Sequence, residues 1–235
     1  IGRSDLMSAY GDGINGDGVL WFCDQTNNKV VGVKLYKGGV SYVRKFNAPV
    51  TVGNRSLAVQ YSDTEIMYNC GRDGSTIYKG FINWDSGTIS WTNLGLTTYR
   101  MNGTAGSAGA TMFRLAGNEY VAYSSGSSQF TIKNLTTGET IVKSPGLTSA
   151  SSYVNHSINA IIKNNNTADI FVYVPGASGG AIKYTLTVNN NADDPVSTPG
   201  AVGSTVAEVE TNNYESNTIV TWQAPSSWTK QPTNY

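Results

Sequence analysis

Apolar and polar residues alternate over short stretches of this 235-residue chain, and clusters of Gly, Asn, Asp and Ser interrupt them at close intervals. A period of two with frequent turn residues predicts β-strands, and no stretch carries the spacing of an amphipathic helix. One short run recurs, always ending on Cys or an aromatic residue. Its copies are Leu20-Trp21-Phe22-Cys23, Met67-Tyr68-Asn69-Cys70, Tyr120-Val121-Ala122-Tyr123, Ile170-Phe171-Val172-Tyr173 and Ile219-Val220-Thr221-Trp222. The ends at 23, 70, 123, 173 and 222 are separated by 47, 53, 50 and 49 residues, the mark of a repeated supersecondary unit.

A second marker travels with the first. Ala9, Ala58, Ala110, Ala160 and Ala207 lie 14, 12, 13, 13 and 15 residues upstream of those ends, each on a predicted leading strand. A third strand is expected over Val30 to Leu35, Ile77 to Ile82, Phe130 to Leu135 and Ala181 to Val188. Glycine-containing turns then lead into fourth strands at Val40 to Phe46, Ile89 to Leu94 and Thr140 to Lys143. The repeats so defined run over about 5–47, 55–97, 106–147, 156–199 and 203–235, in a single domain.

Four antiparallel strands in forty to fifty residues resembles the blade of a β-propeller, and the resemblance extends over nearly the whole chain. It implies an all-β ring of five blades, the last incomplete because residues 223–235 contain no clear strand pair. A β-sandwich or an open array of the same repeats is the alternative. The Gly-His and Trp-Asp marks of one large propeller family are missing, so the resemblance is one of architecture and transfers no functional residues.

Composition narrows the partners. Lys plus Arg and Asp plus Glu both number 16, so there is no net charge and no basic excess to collect phosphates, which argues against nucleic acid. Charged residues are only 14% of the chain, so amides and hydroxyls supply the polarity, a balance that points to an extracytoplasmic protein: secreted, periplasmic or at the cell surface. No apolar run reaches the length of a membrane span. The first residue is Ile1, with no signal-like segment, as expected of a mature chain, a fragment or a trimmed one.

No cofactor or metal is expected. A single histidine and no CxxC speak against zinc, and the Asp12, Asn15, Asp17 cluster, which has oxygen ligands for calcium, lacks the bidentate Glu of an EF-hand. Cys23 and Cys70 occupy the same place in neighbouring repeats and are expected to remain thiols, because equivalent points on adjacent blades exceed the roughly 7 Å a disulfide spans. Asn54, Asn102, Asn134, Asn155 and Asn165 open Asn-x-Ser/Thr sequences.

In a propeller, the loops between blades share one end of the ring with the loops joining second and third strands. That end is expected to carry Asp5, Asn54, Arg55, Tyr99, Arg100, Tyr153 and His156 from the first kind of loop, and Asp24, Gln25, Arg72, Asp73 and Trp228 from the second. Aromatic rings beside amides, carboxylates and guanidinium groups suit a sugar, whose ring stacks while its hydroxyls are hydrogen-bonded. The leading expectation is a non-catalytic module for a glycan, or else a peptide or protein. Two alternatives stand beside it: a structural scaffold for protein interactions, and a glycoside hydrolase. The second follows from the resemblance, because five-bladed hydrolases line their channel with acids; Asp5, Asp12, Asp63, Glu208 and Glu210 are the nearest candidates. His156 lacks a Ser or Cys nucleophile motif beside it.

Overall fold

The computed structural model describes residues 7–11, 18–36, 39–53, 55–71, 74–99, 105–107, 109–126, 129–144, 153–155, 157–174, 180–188 and 204–212. Within them lie four antiparallel sheets of four strands, each a meander whose strands pair in chain order. The first sheet is β1 (Met7–Tyr10), β2 (Gly18–Asp24), β3 (Lys29–Tyr36) and β4 (Gly39–Asn47); the second is β5 (Leu57–Gln60), β6 (Glu65–Asn69), β7 (Ser75–Asn83) and β8 (Thr88–Thr98). After β9 (Ala105–Ser107) comes the third, β10 (Ala110–Leu115), β11 (Asn118–Gly126), β12 (Gln129–Asn134) and β13 (Thr140–Lys143). β14 (Tyr153–Asn155) pairs parallel with β9, and the fourth sheet is β15 (Ser157–Asn164), β16 (Thr167–Val174), β17 (Gly180–Val188) and β18 (Ser204–Asn212).

The sheets pack face to face in sequence as propeller blades. The alternation of each strand sends one set of side chains towards the preceding sheet and the other towards the next. Three apolar cores result: Trp21, Phe46 and Tyr68 between the first two sheets, Met67, Ile77 and Met112 between the second and third, and Phe113, Phe130, Ile170 and Tyr184 between the third and fourth. The leading strands β1, β5, β10 and β15 together line a central channel of about 600 Å³. Small residues keep these inner strands close: the Ser8 hydroxyl donates to the Ala58 carbonyl, while Ala58 and Ala110 are buried against neighbouring blades. No helix of the described residues is long and apolar enough to cross a membrane.

One repeat boundary is corrected. Ser204–Asn212, with Ala207, does not open a fifth blade; it pairs antiparallel with β17 and forms the outer strand of the fourth sheet. The connection from β17 to β18 spans residues 189–203, far longer than the turns that join third to fourth strands elsewhere, so the fourth repeat ends late. The last marker run, Ile219 to Trp222, lies outside the described residues.

Candidate functional site

Gly32 shapes the junction between the first and second sheets. It sits on β3 on the face that meets the second sheet, and a Cβ there would lie 2.7 Å from the Trp84 ring and 2.9 Å from the Trp21 ring. The missing side chain makes room for both indoles, whose centroids are 5.4 Å apart, with Phe46 edge-on to Trp84 at 5.3 Å. Trp21 is fully buried and donates its indole N–H to Gln60 Oε1 at 2.7 Å. The Gln60 amide nitrogen in turn donates to the carbonyls of Ser62, at 2.8 Å, and Asp63, at 3.3 Å, which fixes the turn after β5. That turn presents the Asp63 carboxylate to the Tyr10 hydroxyl, which donates to it at 3.0 Å. Burial, and then the bond to the Asp63 carboxylate, push the Tyr10 phenol up to about 12, so it stays a neutral donor at physiological pH.

These groups border a cleft of about 850 Å³ at the end of the junction where the β1–β2 and β3–β4 turns lie. Tyr10, Tyr36 and Trp84 line it with aromatic surface, and Lys34, Gln60 and Asp63 supply the polar groups. Lys34 Nζ stands 4.3 Å from the Trp84 centroid, over the ring, while Tyr36 is 46% exposed and leaves its ring open to a ligand. An aromatic wall beside a carboxylate and an ammonium group can hold a polyhydroxylated ring by stacking on one face and hydrogen-bonding its edge.

The same place between the second and third sheets is built differently. Lys79 Nζ lies 3.0 Å from Glu65 and 2.7 Å from Glu119, and Arg114 clasps Glu65 through Nε at 2.9 Å and Nη2 at 2.8 Å. Tyr61 donates to Glu119 at 2.9 Å, and burial followed by that carboxylate raises its phenol. Burial works against the Glu65 carboxylate, but its bonds from Arg114, Lys79 and Ser62 outweigh this and hold it below the usual range. Held below the usual range, the Glu65 carboxyl is not in an environment that stores a proton for general-acid catalysis. Between the third and fourth sheets, the corresponding turns leave a smaller groove of about 430 Å³ lined in part by Asn164, Asn165 and Asn166.

Of the loop residues singled out in the sequence, Asn54, Arg72, Asp73, Arg100, His156 and Trp228 lie outside the described residues, as do Asp5 and Asp12. Tyr153 belongs to β14, with only its backbone described. Arg55 is half-buried in the turn before β5, and its carbonyl lies 1.9 Å from where a Cβ on Gly71 would stand, so that glycine is required there. Tyr99 is 44% exposed, and its backbone N–H donates to Ser124 at 2.8 Å. Gln25 is exposed, whereas Asp24 is a structural residue: fully buried, it accepts from the Asn27 backbone at 3.2 Å and side-chain amide at 2.7 Å.

The cleft lies at the end of the ring opposite those loops. Its markers in the sequence were the aromatics Tyr10, Tyr36 and Trp84 beside strand-joining turns, and only their packing brings them together. The acids Glu208 and Glu210 sit on the outer strand β18, away from the channel for which they were considered, and the described channel lining contains no carboxylate. Cys23 and Cys70 are both thiols, and burial, then the neighbouring Cys70, push the Cys23 thiol up to about 12. Asn134 is 2% exposed, with its amide donating to the Tyr120 hydroxyl at 3.2 Å, which removes it as a glycan acceptor.

No family model and no curated protein matches the chain. Among solved structures it is similar to a point variant of the Aleuria aurantia lectin in complex with Fucalpha1-6GlcNAc, at 15% identity and a TM-score of 0.48. It is similar also to that variant in complex with alpha-methyl-L-fucoside, at 14% identity and a TM-score of 0.48. Each match covers 89% of this chain and 64% of the lectin chain, so this chain spans less than two thirds of their length.

Proposed function

We propose that the protein is a non-catalytic glycan-binding module acting outside the cytoplasm, and that the cleft between its first two blades is a binding site. The observation that carries this is the open aromatic surface of Tyr36 next to Tyr10 and Trp84, with Asp63 and Lys34 at the same cleft. An exposed tyrosine beside two partly sheltered rings offers a flat apolar wall that a pyranose covers with its C–H face. Asp63 and Lys34 supply an acceptor and a donor for the hydroxyls at its edge. The low content of charged residues and the polarity of amides and hydroxyls support the extracytoplasmic placement. At the opposite end, the exposed Tyr99 is a second candidate contact.

A glycan array with the wild type, followed by titration calorimetry of the best ligand against Tyr36→Ala and Tyr99→Ala, tests the assignment. The expected result is a wild-type ligand whose affinity falls at least tenfold in Tyr36→Ala, about 1.4 kcal/mol or more. A wild type that binds no glycan, or a Tyr36→Ala variant that binds as well as wild type, overturns it.

A further inference from the structure

The wall of the first junction carries two cations that lie on aromatic rings. On the face that β3 and β4 turn to the second sheet, the register sets Lys34 beside Tyr42 and Gly32 beside Arg44. Lys34 Nζ stands over the Trp84 ring, the Trp84 and Tyr42 centroids are 6.2 Å apart, and the Arg44 guanidinium stands over Tyr42 at 5.2 Å. The second sheet braces Arg44 as well. Its Nη1 donates to the Asp85 carbonyl at 3.2 Å, and a Cβ on Gly87 would fall 2.3 Å from that nitrogen, so the glycine makes room for the guanidinium. Its Nε donates to the Tyr42 hydroxyl, and among the described residues Nη2 has no partner. Among the same residues neither Lys34 nor Arg44 forms an ion pair with a carboxylate, whereas Lys79 and Arg114 at the second junction both pair with Glu65 and Glu119.

We propose that the cleft selects an acidic glycan, whose carboxylate or sulfate groups meet Lys34 and Arg44 while its sugar rings lie against Tyr36, Trp84 and Tyr42. This rests on the glycan-binding reading of the cleft and specifies the class of sugar. A cation over an aromatic face is held in place by the ring quadrupole and keeps the N–H groups on its other side for a ligand. Without a carboxylate partner, such a cation gains most from an anionic ligand, because a charge-assisted hydrogen bond is roughly twice as strong as a neutral one. Lys34 and Arg44 are separated by the Trp84 and Tyr42 rings, a span that calls for an oligosaccharide with more than one anionic group. Asp63 is compatible with this ligand: it accepts from Tyr10 through Oδ1, and its other oxygen accepts from a sugar hydroxyl. The chain has no net charge, so these two local cations, and not a general positive field, attract the anion.

The test titrates the full chain by calorimetry with two matched pairs: an oligogalacturonate and its methyl ester, and a sulfated galactan oligosaccharide and its desulfated parent. The acidic member of at least one pair is expected to bind about tenfold more tightly than its neutral partner, or better. Its affinity is expected to fall as salt rises from about 0.01 M to about 0.15 M, a measurement that needs only the wild type. A preference in the first pair alone identifies the anion as a carboxylate, and one in the second alone as a sulfate. Lys34→Met, which keeps an unbranched stem over Trp84, and Arg44→Gln are each expected to lower the preference about threefold or more. A preference that survives in both variants overturns the proposal. Neutral glycans bound alone, or as tightly as acidic ones, and lost in Tyr36→Ala, overturn it and leave the glycan-binding reading standing. A wild type that binds no glycan overturns both.

Discussion

The first and second junctions of this ring occupy the same position between successive blades and reach opposite outcomes. In the first, Gly32 faces two indoles and the end of the junction stays open, bordered by Tyr10, Tyr36 and Trp84. In the second, the register places Lys79 on β7 where Gly32 stands on β3, and its ammonium draws Glu65 and Glu119 together with Arg114 into one ionic cluster. The blade architecture leaves the junction unspecialised. A glycine in one copy admits large aromatic rings and with them a cleft, while a long cation in another recruits carboxylates and fills the same space.

The comparison breaks most severely at Trp21. Trp21→Ala removes a fully buried indole and leaves Gln60 without its donor, so a loss of about 3–5 kcal/mol is expected in urea unfolding, with the turn at Asp63 released. Gly32→Ala follows, because its new methyl group falls within contact distance of two rings that cannot both move; a cost of about 1–3 kcal/mol and a narrowed cleft are expected. At the second junction, Lys79→Met removes one cation from between two carboxylates, which keep Arg114 and the hydroxyls of Ser62 and Tyr61 as partners. Since these groups are partly exposed, about 1–2 kcal/mol is expected, and Glu119→Gln added to it restores part of that loss in a double-mutant cycle.

Acid acts in the same place more gently. The Glu65 carboxyl has a folded pKa below its unfolded value, so its contribution is present above the unfolded value, about 4.3, and is lost as pH falls through the depressed one. Tm measured between pH 6 and pH 2 is expected to fall more steeply below about pH 4 in wild type than in Glu65→Gln. The smallest effect on stability is at the rim of the cleft. Tyr36→Ala is expected to stay within about 0.5 kcal/mol of wild type while removing glycan binding, which separates the function of the open junction from its architecture.

The strand plan was legible because period-two alternation and turn glycines report local structure directly. Thr140 to Lys143 is read from the sequence with the bounds it has in the fold, and Ala9, Ala58, Ala110 and Ala160 all fall on leading strands. Ala207 was misplaced because alternation marks a strand without naming its partner, and the long connection from β17 delayed the last strand of the fourth repeat. The loops between blades, to which the phase points, lie at one end of the junction, and the proposed cleft lies at the other. Which end opens depends on side-chain volumes at the contact between sheets, on Gly32 opposite Trp84 and Lys79 between two glutamates, and these pairings exist only once the sheets are packed. The same limit applies to Asp24, an exposed-looking loop acid that is buried as the clasp of its own turn.

The indole N–H resonance of Trp84 reports most directly on whether the open junction binds sugar. In a two-dimensional NMR titration of the wild type with the best glycan from the array, that signal is predicted to shift saturably, with the resonance of Trp91, whose indole is tied to the Asn47 carbonyl at 2.9 Å, left in place. A glycan that binds while the Trp84 signal stays unmoved would contradict the assignment of the cleft.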